Sequence, residues 1–278
     1  MKNIVLLGAT GSIGDSCLNV IRQNKKHFSL FGIGLGSNLD KAQQIAKEFS
    51  PEHIFVAESH IDKSHDLLQS YPNILYTEDE LQELIQDPCV DIVISAISGF
   101  AGLKTSYFAI DAGKTILIAN KESIVAAGDI LMPLAKIRNS EIIPVDSEHN
   151  AIHQCLPLQR NLNEISKIMI TASGGPFREK AFKELSSVTL EDALNHPTWT
   201  MGTKITIDSA TLVNKCLELI MFGARDSVTS ARAMIGQSTD TPRTPSTVLR
   251  QVLLPSRMIS TFSVFLLSDG SDFDRAKL

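Results

Sequence analysis

Along the first half of this 278-residue chain, short apolar runs alternate with longer stretches in which apolar residues recur every three or four positions. The runs fall at residues 2–7, 30–33, 54–57, 92–96, 115–119 and 142–145. Each is nearly continuous, the pattern of a strand covered on both faces. Between them, helical spacing is read at Ile13, Cys17, Val20 and Ile21, and over residues 39–49, 78–86, 103–112 and 121–137. Strands alternating with helices predict an α/β fold: a Rossmann-like, doubly wound parallel sheet over residues 1–145. A further strand at 168–172, and a helix held to a core by Leu212, Val213, Leu217 and Ile220, predict a second α/β domain over 146–278.

Composition narrows the function. A net charge of −5 argues against a general nucleic-acid binder. No apolar stretch approaches a membrane span, and the chain opens directly on a strand pattern, without the look of a leader peptide. Cys17, Cys89, Cys155 and Cys216 lack CxxC spacing and read as buried free thiols of a reducing compartment, hence a cytoplasmic protein.

The first strand pattern runs into Gly8-Ala-Thr-Gly11-Ser-Ile-Gly14 and then a helix pattern. Strand, glycine turn and helix form the context in which backbone amides meet a pyrophosphate. The spacing is GxxGxxG, and a tight turn without ligand is the competing reading. After the second run stands Gly34-Leu-Gly36-Ser37-Asn38, with no acid for a ribose 2′-hydroxyl, which favours NADP over NAD. The usual Arg or Lys clamp is not recognised there either. Asn120-Lys121-Glu122 follows the fifth run, where an open α/β sheet collects its ligands, although Glu122 also suits a solvated helix start.

Asp146 and Glu148, two positions apart, share one side if the chain there is extended, with Ser147 facing away. Like charges so close call for a cation, and oxygen-only donors suit Mg²⁺ or Mn²⁺. A strand end with a Ser/Asp helix cap is the alternative. Further on, Ser173-Gly174-Gly175 can form an anion nest, and Asp208 or Ser209 can cap the next helix. On that helix Asn214, Lys215 and Glu218 fall within one arc. Glu218 could complete a three-carboxylate site, or pair with Lys215 at the surface.

The runs GATGSIG, ANKES, PVDSEHNA, TASGGPF, HPTWTMG and KITIDSATLVNKCLE, in this order, closely resemble the 1-deoxy-D-xylulose 5-phosphate reductoisomerase family over residues 1 to 220. The resemblance implies NADPH- and divalent-metal-dependent reductive isomerisation of 1-deoxy-D-xylulose 5-phosphate to 2-C-methyl-D-erythritol 4-phosphate, a step of non-mevalonate isoprenoid biosynthesis. It implies NADPH contacts at Thr10, Gly11, Ser12, Ile13, Gly36, Ser37, Asn38, Asn120, Glu122 and Gly202. Ser37 stands where the family often has a basic residue. Metal ligands are implied at Asp146, Glu148 and Glu218. Substrate contacts are implied at Lys121, Ser147, Ser173, His196, Ser209, Asn214 and Lys215, besides Glu148 and Glu218; Lys121 and His196 join the three acids as catalytic candidates. Residues 196–202, with Trp199 and Met201, resemble a flap that closes over a small phosphorylated sugar, and the family is homodimeric.

The likeness stops after Ile220, and Cys216 stands where the family carries glycine. Residues 228–247 are rich in Ser and Thr, show no periodicity, and include Thr241-Pro-Arg-Thr-Pro245, while residues 261–270 recover a strand pattern. The family's C-terminal helical domain is not recognisable. The tail reads either as the product of a frameshift or deletion, or as a divergent replacement. The function therefore reads as a competent reductoisomerase; the alternatives are an impaired relative that binds NADPH without turnover, and an ordinary NADP dehydrogenase.

Overall fold

The computed structural model describes residues 1–57, 71, 73–155, 167–172, 175–197, 201–226, 232–237 and 264–267. Two compact units divide the chain, Met1–Asp146 and Ser147–Leu278. No helix among the described residues is long and apolar enough to cross a membrane.

Unit 1 is built on β1 (Lys2–Leu7), β2 (Phe28–Leu35), β3 (His53–Val56), β4 (Ile74–Leu75), β5 (Ile92–Ser95), β6 (Thr115–Ile118) and β7 (Ile142–Pro144). Every pairing is parallel, in the order β4-β3-β2-β1-β5-β6-β7. Helices α1 (Ser12–Gln23), α2 (Leu39–Phe49), α3 (Glu78–Gln86), α4 (Gly102–Asp111) and α5 (Lys121–Arg138) connect them. The apolar runs are strands because both faces are covered: Val5, Leu6, Leu7 and Ile33 have no exposed surface. Side chains such as these supply about 1.5–3 kcal/mol each by leaving water. Chain order reverses direction beside β1, which opens a crevice at the carboxyl ends of β1, β2 and β5.

Helix ends follow local chemistry. Thr77 and Glu80 form a reciprocal capping box on α3, Asn38 caps α2 by accepting from the Lys41 amide at 3.1 Å, and Asn120 caps α5. The buried face of α1 is Gly14, Leu18 and Ile21, whereas Ile13 and Val20 of the expected stripe are exposed. The stripe is rotated because Gly14 packs directly on the loop before it. A Cβ there would collide with the Ala9 carbonyl. The two-residue β4 escaped the sequence pattern through its shortness.

Unit 2 contains α6 (Ser147–Cys155), β8 (Lys167–Ala172), α7 (Leu190–Leu194), α8 (Thr203–Ala210), α9 (Val213–Asp226), β9 (Arg232–Gln237) and β10 (Val264–Leu267). Backbone pairing sets β8 parallel to β9 and antiparallel to β10. β9 lies in the stretch read as lacking periodicity. Pairing with β8 supplies the hydrogen-bond partners that local pattern does not advertise.

Three other expectations are corrected. Ser209 does not cap α9: it lies inside α8, its hydroxyl donating to the Ile205 carbonyl at 2.7 Å, while Asp208 pairs with Lys204 at 2.7 Å. Leu212, Val213 and Ile220 do not hold α9 to a core; they are exposed, and α9 buries Lys215, Glu218 and Met221. Cys89 and Cys216 are exposed and Cys17 is half-buried, so the thiols are not uniformly internal.

Candidate metal and dinucleotide sites

The crevice of unit 1 holds a cavity of about 730 Å³, walled by Thr10, Gly11, Gly36, Ser37 and the stretch Ala96–Ile97–Ser98. Gly8, at φ +84°, lies so close to β5 that a Cβ would strike the Ala96 carbonyl. Such a glycine-lined turn at the head of a helix lets a pyrophosphate approach the backbone, so the cavity fits a dinucleotide. Ser12 and Ile13, the first residues of α1, are exposed beside it but do not line it.

Asn120 is 2% exposed and its side chain works inside the protein. Its Oδ1 accepts from the Ser123 amide at 2.9 Å, and its Nδ2 donates to the Ile97 carbonyl at 2.5 Å and to that of Gly99. Asn120 thereby ties the start of α5 to the loop after β5, which forms one wall of the cavity. Glu122 is half-buried in the first turn of α5. Next to Asn120, Lys121 makes a buried ion pair with Asp146 at 2.6 Å.

The second cluster forms around α6 and α9. β7 ends at Pro144 and α6 begins at Ser147, so the chain at Asp146–Glu148 is not the extended segment expected. Ser147 consequently does not face away: its hydroxyl donates to Glu148 Oε2 at 2.6 Å. Lys215 Nζ lies 2.6 Å from Glu148 Oε1 and 2.6 Å from Glu218 Oε2, and Asn214 Nδ2 donates to Glu218 Oε1 at 2.6 Å. Glu148, Lys215 and Glu218 are 5%, 4% and 0% exposed, so the Lys215–Glu218 pair is internal and not a surface contact. Burial pulls the Lys215 ammonium down, but the charges and hydrogen bonds of Glu148 and Glu218 outweigh it and hold it above its ordinary value.

Asp146, the last residue of unit 1, is joined to Glu148 through Ser147 alone. One oxygen from each of Asp146, Glu148 and Glu218 can be chosen so that all lie within 4.8 Å of one another. Oxygen-only donors fit a hard divalent cation such as Mg²⁺ or Mn²⁺.

His149, which sequence reasoning passed over, is 2% exposed, and its Nε2 donates to the Glu218 carbonyl at 2.9 Å, joining α6 to α9. Its only prior signal was its place beside Glu148. His196 is buried, and burial, with Arg178 adding to it, lowers its pKa. Gly202 caps α8, its carbonyl accepting from the Thr206 amide at 3.1 Å. Gly175, at φ +66°, packs against the Ser209 carbonyl, which a Cβ would approach to 2.6 Å. Ser173, Gly174 and Trp199 lie outside the described residues.

Two family models match: residues 4–128 match that of 1-deoxy-D-xylulose 5-phosphate reductoisomerase and residues 142–224 that of its C-terminal domain. The 1-deoxy-D-xylulose 5-phosphate reductoisomerase of Geobacillus sp. (strain WCH70) is 48% identical over 223 residues, 79% of this chain and 58% of that protein. That of Leptospira interrogans (strain 56601) is 48% identical over 78% of this chain and 56% of its own length. The chain thus spans somewhat over half the length of these curated relatives. Among solved structures, a DOX-P reductoisomerase in complex with NADPH, fosmidomycin and magnesium has a TM-score of 0.80 and 35% identity, covering 97% of this chain and 67% of its own. The enzyme from Zymomonas mobilis in complex with NADPH has a TM-score of 0.75 and 36% identity, over 84% of this chain and 61% of its own.

Proposed function

Since the chain belongs to the 1-deoxy-D-xylulose 5-phosphate reductoisomerase family, we propose that it converts 1-deoxy-D-xylulose 5-phosphate to 2-C-methyl-D-erythritol 4-phosphate with NADPH and Mg²⁺ or Mn²⁺. The observation that carries the reading is the trio of Asp146, Glu148 and Glu218, drawn from two distant stretches of sequence with one oxygen of each within 4.8 Å of the others. An ordinary dehydrogenase has no need of such a trio. Unit 1 is then the NADPH-binding part, and unit 2 with Asp146 the metal- and substrate-binding part.

A divalent ion held by the three carboxylates would supply a Lewis acid to the substrate's ketone and adjacent hydroxyl, and NADPH would supply the hydride. The chain's own residues bind and orient. Lys121 and Lys215 bring positive charge to a phosphorylated sugar, Lys215 and Asn214 toward its phosphate with Ser209 and Ser173. Ser147 donates beside Glu148. His196, kept neutral by its burial, can hydrogen-bond substrate without adding charge. Residues 196–202 would close over the site and exclude water from the aldehyde that precedes reduction. In unit 1, Thr10, Gly11, Ser12 and Ile13, with Gly36, Ser37 and Asn38, are assigned to the adenine dinucleotide end. Asn120 and Glu122 are assigned to its nicotinamide end, and the family likeness adds Gly202 to the NADPH contacts. A small soluble substrate suits a cytoplasmic enzyme, and the family likeness favours a homodimer.

NADPH oxidation followed at 340 nm, with 1-deoxy-D-xylulose 5-phosphate and with or without Mn²⁺, tests the proposal. Turnover only with both substrate and metal is expected. Tight NADPH binding with no turnover under any of these conditions would replace it with the second reading, a dinucleotide-binding relative.

A further inference from the structure

The tip of β2 poses a selectivity problem. Gly36, Ser37 and Asn38 follow the strand where a Rossmann-like sheet meets the adenosine ribose, and none carries a charge. The missing charge arrives from one helical turn later. Lys41 sits in the first turn of α2, three residues after its cap Asn38, and its side chain turns back toward the glycine loop. Its Nζ donates to the Thr10 carbonyl at 3.0 Å and meets Asp15 Oδ2 at 2.7 Å. Thr10 is itself a wall residue of the cavity, so the ammonium lies one hydrogen bond from that wall, although Lys41 does not itself line it. At 28% exposure, the side chain is fixed against the loop yet reachable from solvent.

A cation in the first turn works against the helix dipole, so helix stability alone does not favour Lys there. Helix start and ammonium both favour an anion in front of them. An ammonium has three N–H groups, and the two contacts use two of them. The third, with the Ser37 hydroxyl, can meet a phosphate oxygen.

We propose that Lys41 is the specificity-determining cation of this cavity, selecting dinucleotides that carry a phosphate on the adenosine 2′-oxygen over those with a free hydroxyl. The inference rests on the dinucleotide reading of unit 1 and names the residue that decides between its two forms. It differs from the sequence-level view that the usual Arg or Lys clamp is missing after β2. Lys41 escaped because it follows the turn by four residues and reaches it only through the helix.

Fluorescence titration of NADPH and NADH against the wild-type chain, Lys41→Met and Lys41→Arg tests it without turnover. Wild type should prefer NADPH. Lys41→Met should lose roughly tenfold or more in NADPH affinity, the scale of a charged hydrogen bond, with NADH binding unchanged. Lys41→Arg should keep the preference. Unchanged NADPH affinity in Lys41→Met, or an equal loss for both dinucleotides, overturns the role of Lys41 while leaving the dinucleotide reading intact. Failure of the wild-type chain to bind either dinucleotide overturns both.

Discussion

Lys215 and Glu148, 67 residues apart in the chain, form a buried ion pair of 2.6 Å that fastens α9 to α6. Glu148→Gln keeps the shape of the side chain but removes its charge. Breaking a buried pair from one side costs about 3–5 kcal/mol, and the remaining contact of Lys215 with Glu218 should hold the loss toward the low end. We expect Glu148→Gln to fold with a lowered Tm, to lose metal-dependent turnover and saturable Mn²⁺ binding, and to bind NADPH as wild type does. Calorimetric Mn²⁺ titration and NADPH fluorescence read the two sites separately. Loss of both together would count against a metal site distinct from the cofactor cavity.

Lys215 itself lies between two of the acids, 2.6 Å from Glu148 and 2.6 Å from Glu218. Lys215→Met takes from Glu148 and Glu218 the ammonium they share, while Asp146 keeps its pair with Lys121. Uncompensated carboxylates repel, so the variant should melt below wild type in chelator. Mn²⁺ should then raise its Tm by more than it raises that of wild type, because binding relieves the greater repulsion. Differential scanning fluorimetry across a Mn²⁺ series provides the comparison. A Mn²⁺ shift equal to or smaller than that of wild type would show that the ammonium and the metal do not share these oxygens.

The strand runs of unit 1 were readable because each is buried on both faces and bounded by a helix pattern. Ile33 and Leu6 leave no ambiguity of period. The three acids were readable as residues, yet for a wrong reason: alternation along a strand was invoked where the chain has already turned into α6 at Ser147. Polarity misled on α9. Hydrophobicity predicts Leu212, Val213 and Ile220 to face inward, but Lys215, paired with both Glu148 and Glu218, lets these charged side chains take the interior instead. Lys41 and His149 stayed hidden because their partners, Thr10 and the Glu218 carbonyl, are defined only by tertiary packing.

Gly14 packs against the loop whose Gly8, Thr10 and Gly11 wall the cavity. A Cβ at this position would collide with the Ala9 carbonyl, which is backbone and has no rotamer through which to yield. Gly14→Ala must therefore push α1 away from the loop between Gly8 and Gly11. Overpacking of this kind costs about 1–3 kcal/mol. The variant should melt several degrees below wild type and weaken NADPH and NADH alike, in contrast to a change at Lys41. Titration with both dinucleotides checks this, and a dinucleotide affinity matching wild type would show that the loop tolerates displacement.

His196 links stability to pH. Burial, then the charge of Arg178, holds its pKa below the ordinary 6.5, so the folded chain favours the neutral ring. In the window between the lowered folded value and 6.5, the unfolded chain binds the proton and the folded chain does not. Stability thus rises with pH across that window: the contribution is whole above 6.5 and is lost as pH falls toward the folded value. His196→Gln removes the titration while keeping a polar side chain of similar reach. Urea unfolding measured from pH 5 to 8 should show a shallower fall toward acid in His196→Gln than in wild type. Parallel profiles would mean that His196 is equally easy to protonate in both states, and that its neutrality in the folded chain is not maintained by its surroundings.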